Sequence, residues 1–580
     1  MPRPSPPFRN HTRWLATALV FSGGSYIAYE KYQPFRHSIL AVVRCSRVAQ
    51  AAVLGIVDYK WTFSRTYESD EQRKKEYSKC HSRSAHRLLK ALLANGGIYI
   101  KLGQHLAAVF MLPTAGLEWT LAMRPLQDRC DPTPCENIEQ MFLSDIGVSL
   151  YDLFDEFDPK PIGVASLAQV HAARHRASGR KVAIKFQHPH LLEFSEIDME
   201  TVEIALGWIK YWFEDFEFTW LGEEMRASLP KELDFVNEAR NGMQTAKDFA
   251  GMRTSLHIPE IIAASKRVLV MEYIDGARID DLAYLSNTGI DRNKVAVELA
   301  RIFDQMVFVN GSFHADPHLG NLLIRPAPPG SRSPYNFEIV LLDHGQYFDM
   351  DDTLRVNYCK FWLSLIQPAT PEVLQERKQL AQIVGNIGPE LYPVFEAALT
   401  GRAAMTGSWE EGEGAPQFHR AGSMMDMSPQ TQAETDAIRN AVANKEGLLG
   451  DVFTVLRRVP RRIIMVLKLN DLTRSLDYAL ATTHSHIRIW LIAAKYCAYA
   501  IWHDERSRLF DTMKVHGFMS FGLLWKYFGA WWKYTTITSK MTILETVLDI
   551  HARLVLMRAW MQGLMHHGLS GAHDAAAGLA

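Results

Sequence analysis

The chain has 580 residues, is 47% hydrophobic and 22% charged, and carries 63 basic against 64 acidic side chains for a formal charge of -1. That balance supplies a core for more than one structural unit, and it excludes a protein held to nucleic acid by its overall field. The six cysteines (Cys45, Cys80, Cys130, Cys135, Cys359 and Cys497) form no zinc-type set, so they read as free, mostly packed thiols.

The first acid is Glu30, and before it "MPRPSPPFRNHTRW" carries Arg3, Arg9 and Arg13. Basic, acid-free N-termini suit mitochondrial import, with a secretory signal as the alternative. Trp14 to Tyr29 is uncharged over 16 residues and has aromatic residues at its ends, so residues 1–30 are expected to be a targeting and membrane-anchor segment. Residues 31–110 read as helices, and Gly96 and Gly97 are placed to cap the one that ends there. From about residue 150 the period shortens. "VASLAQVHAARH", "KVAIKFQH" and "RVLVMEYIDG" are strand-like runs separated by polar turns. After Asp280 helix returns, interrupted by the Pro/Ser/Gly loop 326–336. Residues 366–568 read as a helical C-terminal region with an aperiodic insertion at 406–433, and 569–580 as a disordered tail. Ile487–Trp502 and Phe518–Tyr534 are rich in aromatic residues and look membrane-seeking. The charges at Arg488, Lys495 and Lys526 disfavour true spans and suit interfacial or packed helices.

Strands followed by helices, joined near "MEYIDG", are the layout of an α+β bilobal kinase fold, and the motifs along it carry chemistry. Alternation in Val182-Ala183-Ile184-Lys185 sets Lys185 opposite Val182 and Ile184, where a strand lysine can touch a phosphate. "KELDFVNEARN" offers Glu232, with Asp234 and Glu238, as a helix acid to hold that ammonium. Met271, Glu272 and Tyr273 fall where a hinge backbone would meet an adenine edge. In "FHADPHLGN", Asp316 and Asn321 are five residues apart, the spacing of a catalytic base and a metal-binding asparagine. Asp343 in "LLDHGQ" ends a buried strand at a turn, a place to hold magnesium. His314, His318 and His344 leave a transition-metal site as a competing reading. Each motif alone is weak, but their order is specific.

With these residues in place, the chain resembles the UbiB, or aarF-domain-containing, family of atypical kinases over about residues 85–365. "IKLGQ" supplies the family's Lys-x-Gly-Gln motif as Lys101, Gly103 and Gln104. "PIGVASLAQVHAA" supplies its nucleotide loop as Gly163, Val164, Ala165 and Ser166, and "ELDFVNEARN" its Glu-x-Asp motif. Gly163-Val164 interrupts the usual alanine run, and His344 stands where protein kinases have phenylalanine, as in a mitochondrial branch. The resemblance implies a protein-kinase-like core over residues 111–365 beneath an N-terminal helical extension. In the family, that extension lays Lys-x-Gly-Gln over the site and regulates it. It also implies ATP and Mg2+ as cofactors, poor activity on proteins, and a role with membrane lipids or quinones such as coenzyme Q at the mitochondrial inner membrane. Two other readings remain open at this level: a small-molecule kinase and a non-catalytic pseudokinase scaffold.

Overall fold

The computed structural model describes residues 28–29, 32–110, 117–127, 132–214, 219–315, 318–400, 454–455, 457–482, 487–516 and 521–577. Most of the expected anchor, Cys130, Asp316 and the insertion at 406–433 lie outside these residues.

The chain begins with helical layers. Helix α1 (Gln33–Phe63) pairs with α2 (Asp70–Asn95), which the Ser69 side chain caps by accepting from Gln72 N–H. The α2 end is Gly96, at φ +67, and Gly97 follows at φ +56, so the two glycines bend the chain into α3 (Ile98–Phe110) and then α4 (Leu117–Met123). Among the described residues, Pro34–Phe63 is long and apolar enough by length and composition to cross a membrane, a stretch beyond the expected anchor at 14–29. One face of α1 is nevertheless fixed to the protein. Arg44 makes a two-pronged bond to Asp198, donates to the Asn95 carbonyl at 2.7 Å, and stacks over Tyr99 and Phe194.

The first lobe is an antiparallel sheet in the order β1-β3-β4-β7-β6, with β2 on the flank of β3. The strands are β1 (Phe154–Asp155), β2 (Gly163–Val164), β3 (Ala168–His175), β4 (Lys181–Gln187), β6 (Ile261–Ala264) and β7 (Val268–Glu272); β5 (Leu256–His257) joins the second lobe. Alternation in β4 decides both faces. Val182, Ile184 and Phe186 pack on α5 (Cys135–Ile146), near the short α6 (Leu150–Leu153). Ala183 and Lys185 face the other way, toward α9 (Phe235–Asp248), which follows α7 (His190–Trp212) and α8 (Thr219–Glu232).

The chain crosses between lobes after β7. A Cβ on Gly276 would stand 2.7 Å from the Ile324 carbonyl oxygen, so only glycine fits that approach. The second lobe carries a small sheet, β5-β11-β10-β8, and the pair β12-β9. Its strands are β8 (Ala277–Arg278), β9 (Ser312–His314), β10 (Leu322–Pro326), β11 (Phe337–Leu341) and β12 (Tyr347–Asp349). Around them pack α10 (Leu282–Asn287), α11 (Arg292–Asp304), α12 (Asp352–Ile366), α13 (Pro371–Gly385), α14 (Tyr392–Thr400), α15 (Arg461–Ala479) and α16 (Ile487–His516) over one large core. The fold is α+β and bilobal, as expected.

The two membrane-seeking segments part company. Ile487–Trp502 lies in α16, with Leu491, Ile492, Ala494 and Cys497 buried; Arg488 and Lys495 are matched by Asp549 and Glu545. The second enters α17 (Phe521–Ala577), which pairs with α16 and turns other residues to solvent. The tail expected to be disordered from 569 instead stays helical to Ala577 after a break at Gly568, φ +72.

Candidate active site

Three elements meet at Lys185. Strand β4 delivers its ammonium, which lies 2.6 Å from Glu238 Oε1 on α9 and 3.2 Å from Asp343 Oδ2, just beyond β11. The Phe235 ring lies beneath it at 5.2 Å. Burial alone would lower the Lys185 pKa, but the Asp343 and Glu238 carboxylates outweigh it and keep the amine charged. Burial pushes Glu238 up to about 7, against the pull of Lys185 and with help from Asp343. Asp343 is held well below the carboxylate range: burial raises it, but Lys185, His314 and the Gly345 N–H prevail.

The expected partner of Lys185 was Glu232, and the structure corrects that. Glu232 ends α8 and its Oε2 lies 3.1 Å from Lys101 Nζ, both side chains nearly buried. The six residues from Glu232 to Glu238 span a helix break. Asp234 is the N-cap of α9, accepting from Val236 N–H at 3.0 Å, so the two glutamates sit on separate helices. Glu232 still borders the site, with its Cα about 4.0 Å from where a Gly345 Cβ would stand.

The loop after Asp343 is held from several sides. Gly345 N–H donates to Asp343 Oδ1 at 2.8 Å, and Asn241 Nδ2 donates to the His344 carbonyl at 2.9 Å. His344 is buried and burial lowers its pKa to about 3, so it is neutral. Its Nε2 faces the Leu341 carbonyl at 3.2 Å and its Nδ1 the Tyr347 hydroxyl at 2.9 Å. Both ring nitrogens are thus occupied, and among the described residues no group of three or more His, Cys, Asp or Glu could hold a metal ion. His344 is therefore spent on the protein and drops out of the transition-metal reading of His314, His318 and His344. His314 instead ties two loops together: its Nε2 bonds the Asp343 carbonyl at 2.9 Å. Asn321 closes a short 3-10 turn and its carbonyl accepts from Leu342 N–H at 3.0 Å, so it sits beside Asp343. Asp316 lies outside the described residues.

Gly163 and Val164 form β2 against Val170 and Gln169, and the turn through Ala165 and Ser166 closes with Ala165 N–H donating to the Ala168 carbonyl at 2.7 Å. Two residues without a sequence signal brace it. His188 Nε2 meets the Ala165 carbonyl at 3.0 Å while its Nδ1 meets the Thr133 hydroxyl at 2.7 Å. At the hinge, Met271 pairs with Ala183 and Ile261, and Tyr273 lies under Lys181 at 3.7 Å. The Glu272 side chain turns away, bonding His257 at 2.9 Å and reaching Arg325 at 3.5 Å. Its backbone N–H is spent as well, donating to the Glu260 carbonyl at 2.9 Å.

The Lys-x-Gly-Gln motif reaches this place from α3. Gly103 is where a Cβ would stand 2.2 Å from Leu126 Cδ1 and 2.9 Å from Leu92 Cδ1, and Gln104 Nε2 donates to the Leu126 carbonyl at 3.0 Å. Close packing at Gly103 and the Gln104 clamp hold Lys101 against Glu232.

Comparison with known proteins identifies the family. Residues 125–376 match the ABC1 atypical kinase-like domain. The chain is 39% identical to the ABC1 family protein MCP2 homolog of Schizosaccharomyces pombe, over 87% of each chain. It is 40% identical to the ABC1 family protein MCP2 of Saccharomyces cerevisiae, over 82% of this chain and 81% of the relative. It is 34% identical to AarF domain-containing protein kinase 1 of Gallus gallus, over 85% and 89%. The chain belongs to the ABC1 family of atypical kinase-like proteins, the family that the motifs resemble.

Proposed function

We propose that this protein is an ATP-dependent atypical kinase or ATPase that serves lipid or coenzyme Q homeostasis at the mitochondrial inner membrane, without a protein substrate. The observation that carries the reading is Lys185 held between Glu238 and Asp343 at the junction of the lobes. The donor set fits Mg2+ bound together with ATP. Asp343 and Asn321 offer the hard oxygen atoms that Mg2+ takes. Asp343 and Asn321 would hold the ion, which when bound neutralises charge on the phosphate oxygens. Lys185 would add its ammonium to the phosphates, the turn from Gly163 to Ser166 would cover them, and the Met271–Tyr273 backbone would meet the base. Asp316 would accept the proton of the attacking hydroxyl or water. Lys101 is held against Glu232 at the edge of the site, and the resemblance implies that the extension carrying it covers the face a protein substrate would use, which supports a small acceptor or water. The acid-free N-terminus supports the mitochondrial placement.

The test is phosphate release from Mg-ATP by the purified chain, with and without lipid. Asp343→Asn should abolish Mg2+-dependent nucleotide binding. Asp316→Asn should keep binding and lower turnover by about 10²-fold or more. Unchanged binding in Asp343→Asn, or binding without any turnover in the wild type, overturns the reading.

A further inference from the structure

Helix α17 has two unlike faces. One is packed: Tyr534 stacks on Trp502 at 5.0 Å, Tyr527 meets Phe510 edge-on, and Glu545 and Asp549 pair with Lys495 and Arg488 of α16. The opposite face is bare. Trp525, Trp532, Ile543, Ile550, Leu554 and Met561 are 72%, 68%, 63%, 53%, 53% and 44% exposed. Their successive spacings of 7, 11, 7, 4 and 7 are whole numbers of helical turns to within a few tens of degrees, so they form one straight stripe. At 1.5 Å per residue the stripe spans about 55 Å, broken between Trp532 and Ile543 by Thr536 and Ser539, and its two apolar stretches are more than a monomer ordinarily leaves in water.

The charges beside the stripe name its partner. Lys526, Lys533 and Lys540 are exposed and seven residues apart, so they line one flank, and Arg558 extends it. The acids between Phe521 and Gly568 are Glu545 and Asp549, and both are turned to α16. An apolar stripe with tryptophans, a cationic border and no acid of its own complements an anionic lipid surface. A second copy of the same stripe would bring lysine against lysine. We propose that the outer face of α17 lies on an anionic bilayer surface, its tryptophans and aliphatic side chains in the headgroup boundary and its lysines at the lipid phosphates. This attachment is separate from the nucleotide site and from the segment at 14–29.

The experiment places an environment-sensitive fluorophore on the full chain at Ile543→Cys, with labelled wild type as the blank. It titrates vesicles of phosphatidylcholine alone and of phosphatidylcholine with phosphatidylglycerol. The label reads where this helix sits, whatever else holds the chain on the vesicle. The proposal expects a blue shift, and quenching by acyl-brominated lipid, with the anionic vesicles. Lys526→Glu/Lys533→Glu/Lys540→Glu should raise the half-saturating lipid concentration roughly 100-fold. Thermal unfolding like that of the wild type establishes that this exposed variant is folded. Emission unchanged by anionic vesicles overturns the proposal. So does a blue shift in buffer that grows with protein concentration alongside a doubled mass, which assigns the stripe to a second copy. Neither result affects the nucleotide assay.

Discussion

Glu238→Gln tests which acid governs Lys185. The substitution keeps the side chain's shape and removes the charge from a carboxylate 2% exposed and 2.6 Å from the ammonium. Deleting one partner of a buried pair costs ~3–5 kcal/mol when the other charge is stranded. Here Lys185 retains Asp343 at 3.2 Å, so the loss is nearer that of one charge-assisted hydrogen bond, about 1.5–3 kcal/mol. Expressed through the position of Lys185, that weakens Mg-ATP binding roughly 10- to 100-fold. Glu232→Gln is the matched control: its partner is Lys101, so it should lower stability and leave Mg-ATP affinity within about 3-fold. Displacement of a fluorescent nucleotide gives the affinities, and denaturant unfolding gives the stabilities. In a Lys185→Met background, Glu238→Gln should add little, because residues acting through one contact are not additive. A tenfold loss from Glu232→Gln with none from Glu238→Gln would refute the pairing.

Gly103→Ala would drive a methyl group into Leu126 and Leu92, and overpacking of this kind costs ~1–3 kcal/mol; the melting temperature should fall, and an unchanged value would show that the extension yields there. Glu272 provides a pH test. Burial raises its pKa, but the His257 hydrogen bond and charge, the Glu260 N–H and Arg325 overcome it and bring the carboxyl from 4.5 to about 2. The folded pKa is thus depressed, so its contribution is complete above pH 4.5 and is lost as pH falls toward 2, by ~1–2 kcal/mol after allowance for solvent screening. Denaturant midpoints across that window should show less acid sensitivity in Glu272→Gln, and equal slopes would remove Glu272 as the source.

Much of the site was legible along the chain because its parts are local. The alternation of Val182 to Lys185, the turn at Asp343 and the short run from His314 to Asn321 each carry their own geometry within a few residues. Those signals, in their order, determined the bilobal fold and the family. What the sequence left undecided were contacts between segments far apart in the chain. Glu232 and Glu238 look alike in one charged run, and only the cap at Asp234, which starts a new helix, sends one to Lys101 and the other to Lys185. His188 and Thr133 bracing the nucleotide turn, and His344 spending both nitrogens on Leu341 and Tyr347, depend on partners that no spacing announces. The two aromatic C-terminal segments are nearly indistinguishable by composition. Packing alone buries Ile487–Trp502 against α11 and α12 and leaves α17 outermost, because a helix hairpin laid on a core has one member inside and one exposed.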